Sequence, residues 1–150
     1  MLAQERRPRE TENCEPPLIV VLDTNIWVSA LQFGQRYSTP VQALEKAMRE
    51  DVIATSDEME DEVYRVLTEK FAWESRRTQM ALSSVLARSI RVRLKGTVHT
   101  CRDPKDNMFL ECSALAKADL LVAGDKDLLV LGKYARTRIV TPLDYISLPV

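Results

Sequence analysis

Histidine, glycine, cysteine and long apolar runs are all scarce in this chain, and each scarcity removes a class of function. With a single histidine, His99, among 150 residues, a Ser-His-Asp hydrolase has one candidate base in no recognisable setting, and zinc finds few ligands. His99 is expected to be an ordinary surface or edge residue. The three cysteines, Cys14, Cys101 and Cys112, are odd in number and lack close ligand spacing, which suits a reducing compartment better than a disulfide framework. The four glycines, Gly34, Gly96, Gly124 and Gly132, are scattered and form neither Gly-x-Gly-x-x-Gly nor a Walker loop, which disfavours a nucleotide-binding module. No apolar run approaches the roughly 18 residues that cross a bilayer, and residues 1–17 are too polar for a signal peptide. The expectation is a cytoplasmic protein with no membrane segment. A net charge of −1 also lacks the global basic excess of many nucleic-acid binders, so charge must be judged locally.

Locally, Arg88, Arg91, Arg93, Lys95, Arg102 and Lys105 face only Asp103 in one stretch, while acids crowd residues 57–62. Such a basic strip either meets phosphate or is a solvated face. Residues 1–17 carry almost no aliphatic side chains and read as a loose tail, because they cannot bury enough apolar surface to offset ordering entropy. The remainder, 18–150, is the size of one domain. Its short aliphatic runs alternate with longer periodic ones, which predicts an α/β fold of three layers, α/β/α, around a central, mostly parallel sheet.

Leu18-Ile-Val-Val-Leu22 is a continuous branched run, as a central strand buried on both faces requires. A helix is predicted after Thr24 through Trp27 and Ala30. A second begins at Ser38-Thr39-Pro40, with Val41, Leu44, Ala47 and Met48 as its apolar face. Val52-Ile53-Ala54-Thr55 reads as a strand, and Ser56 as the N-cap of a helix through Met59, Val63, Val66 and Leu67. Another helix is expected over 74–87, an edge strand or extended connector over 90–98, and a helix from Asp103-Pro104 through Phe109, Cys112 and Ala116. Strands at 120–123 and 138–140 complete the pattern. Trp27, Phe33, Phe71, Trp73 and Phe109 are expected to pack in the core or an interface rather than stack on bases.

Carboxylates recur where a strand ends or a helix begins, and in open parallel sheets that carboxyl edge is where ligands bind. Asp23 follows the first strand directly. Asp106 lies in Arg102-Asp103-Pro104-Lys105-Asp106-Asn107, a sequence that is also good helix-start chemistry, with Asp103 as N-cap. Asp125 and Asp127 follow the strand at 120–123 through Gly124, and either could cap the short helix of Leu128 and Leu129. On the Ser56 helix, Met59, Val63, Val66 and Lys70 share a stripe, with Glu62 and Glu60 near its two edges; spacing alone does not choose between these glutamates. Glu58 and Asp61 point farther outward, as first-turn acids favoured by the helix dipole. Acids gathered at one edge repel one another unless a hard cation neutralises them. Oxygen ligands point to Mg²⁺ or Mn²⁺, and such ions promote phosphodiester hydrolysis.

Over roughly residues 18–146 the sequence resembles the PIN-domain family, in particular its bacterial toxin-like branch. The matching pieces are Val21-Leu22-Asp23-Thr24-Asn25, the Ser56 helix with Glu62 before Val66-Leu67, Cys101-Arg-Asp-Pro-Lys-Asp-Asn107, and Ala123-Gly-Asp-Lys-Asp-Leu-Leu129. The resemblance implies a PIN-like nuclease domain over 18–150 and a metal-dependent endoribonuclease, the toxin of a toxin-antitoxin pair. By it, Asp23, Glu62, Asp106 and Asp125 correspond to the family's first to fourth acids, with Asp127 a possible supplement. It thereby selects Glu62 over Glu60. Asp23, Asp106 and Asp125 would bind Mg²⁺ or Mn²⁺, and Glu62 would position or deprotonate water, leaving 5′-phosphate and 3′-hydroxyl ends. Thr24 and Asn25 could support these groups by hydrogen bonds. RNA substrate, a cognate antitoxin protein and a homodimer are the implied partners. One departure stands out: the family's Thr or Ser shortly before the fourth acid is absent, since the chain reads Val122-Ala123-Gly124.

Two other readings are weaker. A phosphatase of the haloacid-dehalogenase type needs Asp-x-Asp-x-Thr, whereas Asp23 is followed by Thr24-Asn25-Ile26. A catalytically weak PIN-like module that only binds RNA or protein is kept open by the missing hydroxyl.

Overall fold

The computed structural model describes residues 16–33 and 38–149; Cys14, Gly34 and all but the last two residues of the expected tail lie outside them. A six-stranded sheet runs in the order β3-β2-β1-β4-β6-β5, formed by β1 (Ile19–Leu22), β2 (Val52–Thr55), β3 (Ile90–Arg91), β4 (Leu120–Val122), β5 (Lys133–Tyr134) and β6 (Thr137–Val140). All neighbours pair in parallel except β5 and β6, which form an antiparallel edge hairpin. The central place of β1 follows from its composition. Val20, Val21 and Leu22 are wholly buried. Val20 and Leu22 pack into one apolar cluster and Val21 into another, so both faces are covered and no polar residue is tolerated.

The first cluster lies under α1 (Thr24–Gln32), α2 (Thr39–Glu50), α3 (Asp57–Arg65), α4 (Ser75–Val85) and α7 (Pro142–Ile146); the second lies mainly under α5 (Asn107–Ala116), beyond which the short α6 (Lys126–Leu129) follows β4. The three-layer α/β/α arrangement expected from the sequence is therefore observed. Ser56 caps α3, its hydroxyl accepting from the Met59 N–H. Ser38 precedes α2, whose second residue is Pro40.

Several local expectations are corrected. Met48, assigned to the apolar face of α2, is 42 % exposed, and Ala43 is buried instead. The helix of Ser56 does not keep a regular period: residues Val66–Lys70 form a π-turn. That wider turn rotates the register, so Leu67 enters the core while Val66 is half-buried and Lys70 exposed. The β5 hairpin and α7 were not expected, because both are too short to show a period.

At the amino edge of the sheet two aspartates secure strand entry. Asp51 accepts from the Leu18 N–H at 2.9 Å and from the Tyr145 hydroxyl, and it also pairs with Lys46 at 3.5 Å. Asp119 accepts from the Ile19 N–H at 2.9 Å and pairs with Arg136 at 2.9 Å. Among the described residues, no helix is long and apolar enough to cross a membrane.

Candidate active site

The opposite, carboxyl edge of the sheet opens into a cleft of about 410 Å³ between α1 and α3, which Asp23, Thr24, Asn25, Glu62, Asp106 and Asp125 help to line. Each acid arrives there by a local rule. Asp23 ends β1 and caps α1, one oxygen accepting from the Ile26 N–H and the other from the Gly124 N–H, both at 3.0 Å. Asp125 follows β4 through Ala123 and Gly124 and caps α6, accepting from the Asp127 N–H at 2.8 Å. Asp103 caps a 3₁₀ turn, Pro104–Asp106, through the Lys105 N–H, and this turn delivers Asp106 to the start of α5. Asn107 locks the approach by accepting from the Cys101 N–H at 2.8 Å. In these positions capping itself brings the acid to the cleft, because helix starts after parallel strands stand at the carboxyl edge.

Glu62 and Glu60 part company. Glu62 Oε2 accepts from the Thr24 hydroxyl at 3.0 Å, and Oε1 meets Arg65 at 3.3 Å. Glu60 instead pairs with Arg91, which also reaches Asp57 at 2.8 Å. Glu62 therefore borders the cleft while Glu60 is held at the sheet edge. Asn25 lines the same cleft and is exposed.

Among the described residues, Asp106, Asp125 and Asp127 form a close group of carboxylates, each offering an oxygen within 4.8 Å of the others. Asp127, assigned only a supplementary role from the sequence, belongs to it, and Arg102 pairs with this acid at 3.2 Å. Asp23 stands beside the group with its oxygens turned to backbone N–H groups. Asp106 carries the strain. Its Oδ2 is buried and has no hydrogen-bond partner. Burial, then the charges of Asp125 and Asp103 and the close approach of the Asp125 carboxylate, push its carboxyl up to about 7. Burial likewise raises Asp23 to about 6, against the pull of the N–H groups that hold it. The same negative field reaches Cys101, whose thiol is pushed up to about 11 by burial first and Asp106 next.

Those features fit a hard divalent cation. An orphaned buried oxygen, an all-oxygen donor set and mutually repelling acids describe ligands awaiting a positive charge. Asp106, Asp125 and Asp127, with Asp23 adjacent, are the residues that could hold it.

The basic strip expected from the sequence does not form one face. Arg91 and Arg102 are spent on acids, and Arg88 lines a hollow at the amino edge beside Pro17 and Arg49. Of the strip, Lys105 lines the cleft, joined there by Arg65 and Lys70 from α3 and its π-turn. Sequence reasoning passed over Lys70 as a site residue, since its charge at the end of an apolar stripe carried no signal. It also placed Phe33 and Phe71, with the other three aromatics, in the core or an interface. Trp27, Trp73 and Phe109 are indeed buried, but Phe33 is 58 % exposed and meets Phe71 edge-on at 5.4 Å on the wall of the cleft.

An acid-lined cleft at the carboxyl edge of a parallel α/β/α sheet defines the class of site. A family model described as PIN domain matches residues 19–127, a span that includes every acid named above, and the chain belongs to the PIN-domain family. No curated protein matches significantly. Among solved structures, the chain is similar to VapBC2 from Rickettsia felis, solved bound to a DNA fragment from the promoter, at 17 % identity and a TM-score of 0.59, covering 81 % of this chain and 97 % of that one. It is also similar to VapC20 of Mycobacterium tuberculosis, a toxin that cleaves the sarcin-ricin loop, at 16 % identity and a TM-score of 0.58, covering 79 % and 98 %. At such identities the likeness is one of fold.

Proposed function

We propose that the chain is a metal-dependent endoribonuclease and the toxin member of a toxin-antitoxin pair acting in the cytoplasm. The observation that carries the reading is the buried, unpartnered Asp106 Oδ2 beside Asp125 and Asp127. Asp106 and Asp125, joined by Asp127, would hold Mg²⁺ or Mn²⁺, with Asp23 adjoining them as a further ligand whose oxygens also accept backbone N–H groups. Such an ion supplies Lewis acidity toward a phosphoryl oxygen and toward the attacking water. Glu62 orients that water and takes its proton. Thr24 and Arg65 hold the Glu62 carboxylate from two sides, which fixes the direction of its free lone pairs. The new oxygen–phosphorus bond forms in line with the breaking bond to the 3′ oxygen, which takes a proton from solvent. The products carry 5′-phosphate and 3′-hydroxyl ends.

The toxin assignment is supported by family membership and by the fold shared with VapBC2 and VapC20. It brings with it an antitoxin protein as partner and a homodimer as the assembly. A catalytically weak binding module is the second reading, favoured by the absence of a hydroxyl in Val122-Ala123-Gly124.

The deciding experiment incubates the purified chain and its Asp23→Asn variant with labelled mixed-sequence RNA in Mn²⁺, Mg²⁺ or chelator. Cleavage that requires the ion and vanishes in the variant is expected. Equal cleavage by the variant would sink the mechanism, and RNA bound but never cut would establish the binding module.

A further inference from the structure

The cleft does not end at the acids. Along α1 its wall passes from Thr24 through Val28 to Phe33, and along α3 and the π-turn from Glu62 through Val66 to Lys70 and Phe71. Phe33 follows Thr24 by about two and a half helical turns, roughly 14 Å of axis. The far end is therefore aromatic and cationic, whereas the near end is anionic.

Phe33 is unusually placed for a phenylalanine. It is 58 % exposed, yet it is not loose: its N–H donates to the Ser29 carbonyl at 3.1 Å as the residue closing α1. Phe71 packs partly against the core and meets Phe33 at an interplanar angle of 89°. In an edge-to-face pair only one ring face is covered by the partner, so an open aromatic surface remains beside the cleft. Lys70 is adjacent in sequence, and among the described residues neither Lys70 nor Lys105 is paired with a carboxylate. Open aromatic rings flanked by unpaired cations match a nucleic-acid strand, whose bases stack and whose phosphates need countercharge.

We propose that Phe33, seated on Phe71, is a stacking platform for an unpaired base a few nucleotides from the scissile phosphate, with Lys70 neutralising the phosphate beside it. The platform selects single-stranded RNA, because a base within a duplex offers no free face. This rests on the nuclease reading for the position of the scissile phosphate, but binding at the platform is separable from cleavage.

The test uses labelled single-stranded RNA of mixed sequence, the same RNA as a duplex, and a single strand with abasic positions. Affinities are measured by fluorescence anisotropy in Mg²⁺ on the full chain carrying Asp106→Asn, alone and combined with Phe33→Leu or Phe33→Trp. Phe33 is exposed, so thermal melts should show every variant folded. The single strand should bind about tenfold more weakly to the Leu variant and as tightly to the Trp variant. Abasic and duplex RNA should bind poorly and ignore residue 33. Undiminished binding by the Leu variant, failure of Trp to restore it, an equal loss on duplex, or no RNA bound at all would overturn the platform. An unchanged RNA affinity would leave Phe33 to a protein partner instead. Cleavage by the unsubstituted chain is assayed in parallel. Cleavage with affinity indifferent to residue 33 removes the platform and keeps the nuclease; sensitive binding without cleavage does the reverse.

Discussion

The two edges of the sheet carry the same residue type and treat it in opposite ways. At the amino edge, Asp51 and Asp119 each accept a backbone N–H from the start of β1 and each face a cation, Lys46 or Arg136. Their charges are answered by the protein, so they fasten strand entry. At the carboxyl edge, Asp106, Asp125 and Asp127 converge within 4.8 Å, one buried oxygen is left without a partner, and Arg102, which pairs with Asp127, lies at the exposed rim. A buried polar group without a partner costs stability. The comparison teaches that an aspartate fastens structure where a cation of the chain answers its charge, and is available to a ligand where burial and neighbouring acids leave that charge unanswered.

The largest expected effect comes from removing an incomplete acid. Asp106→Asn should lower metal-dependent RNA cleavage by about a hundredfold or more, while urea unfolding in chelator shows stability equal to or above that of the parent. If that variant were both active and destabilised, Asp106 would belong with the amino-edge acids and the contrast would collapse. Next in size, Asp51→Ala strips partners from the Leu18 N–H, the Tyr145 hydroxyl and Lys46 at once, and should cost about 2–4 kcal/mol in urea unfolding. RNA cleavage per folded molecule should be unchanged.

The third test sharpens the comparison through pH. Asp23 and Asp106 are raised from 3.8 to about 6 and about 7, so the folded chain holds more protons than the unfolded chain between those limits. Stability of the cation-free protein should therefore fall as pH rises from about 4 to about 7 and level off above. Thermal melts across that range check the slope. Added Mn²⁺ should raise the melting temperature most above pH 7, and a flat profile would deny that the acids are strained. The smallest effect belongs to Thr24→Val, which frees one oxygen of Glu62. Cleavage should drop about tenfold with stability altered by no more than about 1 kcal/mol; an unaltered rate would show that Glu62 needs no holding.

Much of this was legible in advance where a local rule was strong. The buried run ending at Leu22, the Ser56 cap and the Asp103-Pro104 start are short-range signals, and each stands where the sequence suggested. Glu62 against Glu60 was not decidable by period, because both lie at the edges of one stripe; the resemblance chose Glu62, and its contact with Thr24, a residue 38 positions away, puts it beside the cleft. The π-turn was invisible, since no residue pattern announces it, and it moved Lys70 and Phe71 to the cleft wall. Phe33 could be placed no more finely than in the core or an interface for a related reason: composition says that phenylalanine packs, and only the neighbouring elements decide whether a helix end is covered.

By itself, then, the sequence determined an α/β/α domain with acids at the ends of its strands, since chain periodicity and capping chemistry act within a few residues. Tertiary structure decided which of those acids meet, which are answered by a cation of the chain, and which aromatic stays open. Those outcomes depend on side chains far apart in sequence, whose distances are set by sheet order and helix register rather than by any local preference.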